Sequence, residues 1–144
     1  MKNQINEYGI QNSKFLKPEC PDERINDALK LIQQHYGEGD LTLKKLADQI
    51  GISVCHLSRL LKKGTGIGSR EYIKNIRMEK AEELVRSTRL NINEVASSVG
   101  YNHVSNFNHD FKAYFGISPR EYRYRARIAK DLKNHQEITK ITKK

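Results

Sequence analysis

Two sets of four side chains, fifty residues apart, carry the hydrogen-bonding chemistry needed to read base-pair edges and to neutralise phosphate. Cys55, Ser58, Arg59 and Lys62 recur at i, i+3, i+4 and i+7, and Ser105, Asn108, His109 and Lys112 repeat that spacing. On an α-helix such spacing gathers the four side chains on one face. Arg59 can donate two parallel hydrogen bonds to guanine, worth about 1–3 kcal/mol of discrimination, and Asn108 can pair with adenine in the same bidentate way. Ser58 and Ser105 can donate or accept, Cys55 offers apolar contact to a thymine methyl group, and His109 can donate to a base or a phosphate. Lys62, Lys63 and Lys112 come later on their helices, a position that suits phosphate oxygens better than base edges. A polar helix face is otherwise merely solvated, so these roles depend on the elements that present it.

Those elements form a unit used twice. Gly66-Ile67-Gly68-Ser69-Arg70-Glu71-Tyr72 and Gly116-Ile117-Ser118-Pro119-Arg120-Glu121-Tyr122 agree at five of seven positions. Counting back in the same register, Leu57 aligns with Phe107 and Leu61 with Phe111. After a one-residue slip, Gly51 aligns with Gly100 and Ala47 with Ala96. Two copies are too few for a stacked solenoid and point to a tandem pair of similar subdomains.

The pattern along the chain is helical throughout. Residues 1–20 show no clear period and read as an arm or linker. From Asp22 a stripe of Ile25, Ala28, Leu29, Ile32 and Tyr36 predicts a first helix, ended by Gly37-Glu38-Gly39-Asp40. Thr42 then caps a short helix, and Leu41 can staple against Leu46. That helix buries Leu43, Leu46, Ala47 and Ile50. Gly51 breaks it, Ile52 plugs the turn, and Ser53 caps a helix carrying Leu57, Leu60 and Leu61. Helix, short turn with Gly, helix is the helix-turn-helix outline. Ser69 is expected to cap a long helix with Tyr72, Ile73, Ile76, Ala81, Leu84 and Val85 inward and Lys74, Lys80, Glu82 and Arg86 outward. Asn91 and Glu94 then make a capping box, Ile92, Val95, Ala96 and Val99 a buried face, and Gly100 the next turn. A helix with Phe107, Phe111 and Phe115 follows, and Pro119 opens a last one. From Arg123 the chain is basic and compatible with helix. Phe107, Phe111, Phe115, Tyr72 and Tyr122 read as core rather than as stacking platforms, and His56 as a packing or capping residue. The expected fold is all-α, with about seven helices in two helix-turn-helix subdomains joined by a linker helix. The boundaries fall at 1–20, 21–68, 69–88, 89–125 and 126–144.

Charge narrows the partners. The net charge is +9 and the pI about 9.6. Residues 1–51 hold seven basic and eight acidic side chains, whereas 52–89 and 90–144 each carry an excess of five positive charges. A basic field in and after each second helix suits a polyanion: nucleic acid first, an anionic membrane surface second, with plain solubility as the bland account. Cys20 and Cys55 make neither a disulfide framework nor a metal site, and no run is long and apolar enough to span a bilayer or resemble a signal peptide. A reduced cytoplasmic setting follows, with no membrane contact. Catalysis finds no support. Gly64-Thr65-Gly66-Ile67-Gly68 closes a helix with no strand before it, no nucleophile elbow is present, and the five histidines have no cysteine partners at metal-site spacing. No metal and no cofactor are expected.

On these residues the chain resembles the DNA-binding domain of the AraC/XylS family of bacterial transcription regulators, over about residues 22–125. The second copy is similar to the family signature at Gly100-Tyr101, Phe107, Phe111-Lys112, Gly116, Ser118-Pro119 and Tyr122-Arg123. The first is similar at Ala47, Gly51, His56-Leu57-Ser58-Arg59, Lys62-Lys63, Gly66 and Tyr72-Ile73. Two positions depart from it: members often carry Arg at the place of His109, and some a large aromatic at that of Cys55. The resemblance implies that both second helices enter successive major grooves of double-stranded DNA, roughly 34 Å apart. It also implies binding as a monomer to an asymmetric site. RNA polymerase is a candidate second partner, because an activator needs a surface facing it. Family members frequently add an N-terminal effector domain, and nothing in residues 1–20 can serve as a small-molecule effector site. The chain therefore reads as a stand-alone regulator or a domain excised from a longer one. Two rival readings stay open: a sequence-independent binder using the basic tail (Arg123, Arg125, Arg127, Lys130, Lys133), and a helical protein-interaction module.

Overall fold

The computed structural model of the protein describes residues 22–142; the expected arm over 1–20, with Cys20, lies outside them. Among the described residues there are seven α-helices and no strand: α1 (Arg24–His35), α2 (Leu43–Ile50), α3 (Val54–Thr65), α4 (Ser69–Ser87), α5 (Ile92–Ser98), α6 (Val104–Phe115) and α7 (Pro119–Thr142). The chain divides into two compact units between Arg77 and Met78, within α4.

Unit one is built on stripes at helical spacing. Ile25, Ala28, Leu29 and Ile32 of α1 are buried together with Leu46 and Ala47 of α2, Leu57, Leu60 and Leu61 of α3, and Tyr72 and Ile76 of α4. Burying each leucine or isoleucine contributes about 1.5–3 kcal/mol. Ile52 and Leu41 pack against this cluster from the turns. The Thr42 hydroxyl accepts the Lys45 N–H at 3.2 Å and starts α2. Gly51, at φ 80, ends it, and the N–H groups of Gly51 and Ile52 both donate to the Ala47 carbonyl at 2.9 and 3.1 Å. A side chain there would meet open space, so the left-handed backbone alone selects glycine. Arg77 closes the unit, its guanidinium donating to the carbonyls of Tyr36 and Glu38 at 2.9 and 3.1 Å.

Unit two repeats the plan with different filling. Met78, Ala81 and Val85 of α4 are buried, as are Val95 and Ala96 of α5, Val99, and Phe107 and Phe111 of α6. The Asn91–Glu94 capping box is present in both directions, at 2.9 and 2.8 Å. At the turn the Tyr101 N–H donates to the Ala96 carbonyl at 2.9 Å, the counterpart of Ile52 on Ala47. Rings then run in contact from Tyr101 through Phe107, Phe111 and Phe115 to Tyr122, with centroids 4.5 to 5.7 Å apart. The Tyr122 hydroxyl donates to Glu82 at 2.7 Å, and the Arg123 Nε donates to the Val85 carbonyl at 3.0 Å. Burial, then the hydrogen bond to Glu82, push the Tyr122 phenol up to about 12.

Three expectations change. Ser69 is the first helical residue rather than the cap; the Gly68 carbonyl accepts the first helical bond, from Tyr72, just as the Ser118 carbonyl accepts from Tyr122. Glu82 is half-buried against Tyr122 rather than free on the outer face. Met78 is fully buried although no stripe anchored on Tyr72 and Ile76 includes it. The basic segment after Arg123 is helical, as part of α7.

Candidate nucleic-acid interface

The residues that could read DNA sit on the uncovered faces of α3 and α6. In unit one, Leu57, Leu60, Leu61, Gly64 and Thr65 pin α3 inward. That rotation leaves Cys55, Arg59, Lys62 and Lys63 exposed and Ser58 half-exposed. The Ser53 hydroxyl accepts the His56 N–H at 3.1 Å and fixes where α3 begins. His56 is half-buried and thus takes part in the cap through its backbone. In unit two, Phe107 and Phe111 set the rotation of α6, and Ser105, Asn108, His109 and Lys112 are all exposed. The helix caps match closely: the N–H groups of Gly66 and Gly116, at φ 83 and 82, donate to the carbonyls of Lys62 and Lys112, each at 2.8 Å. The two lysines therefore occupy equivalent places near their helix ends.

The two helices differ in charge: α3 carries Arg59, Lys62 and Lys63, whereas α6 sets Lys112 against Asp110. α3 contains no acidic residue. Arg59, Lys62, Lys63 and Lys112 enter no ion pair among the described residues, whereas Lys44, Lys45, Arg86 and Arg125 are each paired with a carboxylate. A cation with no internal partner meets phosphate without first giving up a carboxylate. One participant escaped the sequence reading. Asp110 accepts the Tyr101 hydroxyl at 2.7 Å and lies 3.4 Å from His109 Nδ1. With Nδ1 turned to that carboxylate, Nε2 is the ring atom left to face outward. The available signal was that Asp110 is the one acid on either helix.

Among the described residues no group of three or more His, Cys, Asp or Glu side chains could hold a metal ion, and no helix is long and apolar enough to cross a membrane. The exposed faces of α3 and α6 carry hydrogen-bond donors, cations and a thiol.

Comparison with known proteins places this arrangement. A helix-turn-helix domain family matches residues 46–125. The HTH-type transcriptional activator RhaS of Escherichia fergusonii is 31% identical over 113 residues, covering 78% of this chain and 40% of that protein. The chain therefore spans less than half of that relative's length. The C-terminal domain of AraT, a response regulator from Geobacillus stearothermophilus, is 39% identical with a TM-score of 0.70, over 75% of this chain and 88% of that one. An AraC-type DNA-binding-domain regulator from Chromobacterium violaceum is 25% identical with a TM-score of 0.66, over 72% and 91% of the two chains. These relatives are transcription regulators, not enzymes. By the residues matched and the fold shared, the chain belongs to the AraC/XylS family.

Proposed function

We propose that the chain is a sequence-specific double-stranded DNA-binding transcription regulator that inserts α3 and α6 into successive major grooves of an asymmetric promoter site, as a monomer. The observation that carries this is the pairing of two helices with equivalent glycine C-caps whose outer faces hold different side chains: Cys55, Ser58 and Arg59 on one, Ser105, Asn108 and His109 on the other. A symmetric dimer reads the same half-site twice; unlike readers in one chain suit unlike half-sites about one helical turn apart. Lys62, Lys63 and Lys112 hold phosphates, fixing register without adding sequence information. This reading places the protein in the bacterial cytoplasm with the chromosome, needs no cofactor, and admits RNA polymerase as a protein partner.

Selection from random duplexes at physiological salt tests it. Two short enriched blocks about one turn apart, bound by one chain, are expected. No enriched motif, with binding that vanishes under excess random DNA, would favour the basic tail acting by charge alone.

A further inference from the structure

Six large apolar side chains are exposed among the described residues; four belong to α7, and the other two are Val54 and Val104. These two valines are 40% and 36% exposed, are the first residues of α3 and α6, and are fifty positions apart, hence equivalent in the two units. Three ordinary reasons for such a residue fail. Packing does not require it, because neither valine belongs to the buried core. Helix formation does not favour it, because a β-branched residue is a mediocre helix former and the first turn prefers Pro, Asp or Glu. Solubility opposes it. The neighbouring positions, exposed or half-exposed, show how free this surface is to vary, with Cys55 opposite Ser105, Ser58 opposite Asn108 and Arg59 opposite His109. An apolar residue retained at the one exposed position that meets the groove first calls for an apolar target.

We infer that Val54 and Val104 are specificity residues that pack on the C5-methyl groups of thymines, one in each half-site. The inference rests on the DNA-reading role of α3 and α6 proposed above. In the major groove the thymine methyl is the apolar feature a base pair presents, and the first residues of a reading helix are those nearest the base edges. Val54 lies one turn before Ser58 and Val104 one turn before Asn108, so each valine extends its polar face toward the helix N-terminus. A valine there distinguishes T·A from C·G by shape alone, without any hydrogen bond. The polar residues beyond it then read the adjoining base pair.

Deoxyuridine, which differs from thymidine only by that methyl, tests the contact on the full chain and the selected duplex. Each thymine is replaced in turn and affinity measured for the wild type, Val54→Ala and Val104→Ala. One thymine in each block is expected to weaken wild-type binding about fourfold on replacement, the equivalent of roughly one buried methyl group. Val54→Ala should abolish the loss at one block only, and Val104→Ala at the other only. Circular dichroism should show both variants folded, since neither side chain is in the core. Selected blocks without A·T pairs, a wild type indifferent to every replacement, or valine variants that each keep every loss seen in the wild type would overturn the inference. In each of those cases the enriched motif itself leaves the reading helices standing. Absence of any motif would instead remove the reading and the inference together.

Discussion

Unit one closes α3 on Leu57, Leu61 and Thr65; unit two closes α6 on Phe107, Phe111 and Phe115 at the equivalent positions. Thr65 is buried and its hydroxyl donates to the Leu61 carbonyl at 2.6 Å, whereas Phe115 rests on the rings of Phe111 and Tyr122. The glycine that follows adopts the same left-handed conformation in both. Backbone path is thus set by the caps and the helical stripe, while core volume is supplied either by branched aliphatics or by rings in tilted and edge-to-face contact. Cores tolerate such exchanges when total volume and patterning are kept. The exposed faces follow the same pattern, with different side chains on one scaffold.

The sharpest way to break this comparison is to empty each core. Phe111→Ala is expected to cost about 3–5 kcal/mol and Leu61→Ala about 2–5 kcal/mol. Denaturant melts should show Phe111→Ala as the more damaging; the reverse order would mean that the ring chain is loosely packed. Next in size are the exposed faces. Arg59→Ala should lose about 1–3 kcal/mol at one base pair and relax the preference there, whereas Lys112→Ala should weaken all sequences alike and lower the salt slope by about one. An unchanged selected motif in Arg59→Ala would remove that residue from the reading set. Smallest is the difference at the helix starts. Ser53 caps α3, but His103, at the same place before α6, makes no side-chain cap bond. Ser53→Ala should cost about 0.5–2 kcal/mol and His103→Ser should raise stability by a similar or smaller amount in thermal melts. Equal and opposite shifts would show that the cap is the main asymmetry between the two starts.

Much of this was legible because it is local. Glycines at 51, 66, 100 and 116 marked the turns, Asn91 with Glu94 marked a helix start, and the apolar spacing gave the rotation of α3 and α6 and so the exposed residues. What was missed depends on partners distant in sequence. Glu82 reads as one more charge on a polar helix until Tyr122 arrives from forty residues away. Met78 is out of phase with Tyr72 and Ile76 because the buried stripe of α4 is renewed where the chain passes into its second unit. Ser69, which as a serine reads as a cap, instead takes the first helical position, as its counterpart Pro119 does. Exposure of the valines at 54 and 104 could not be read from residue type, since valine ordinarily signals core.

The length of α7 has a consequence of its own. From Arg127 to Lys140 every residue is exposed, so this part of the helix buries little side-chain surface. A stretch of that length alone in water is marginally helical. Its amides should therefore trade protons for deuterons at the pace of local fraying, while those of α6 wait for the opening of their whole unit. A single exchange experiment would find two clocks in one helix, with Arg123 and its bond to the Val85 carbonyl marking where the slow one stops.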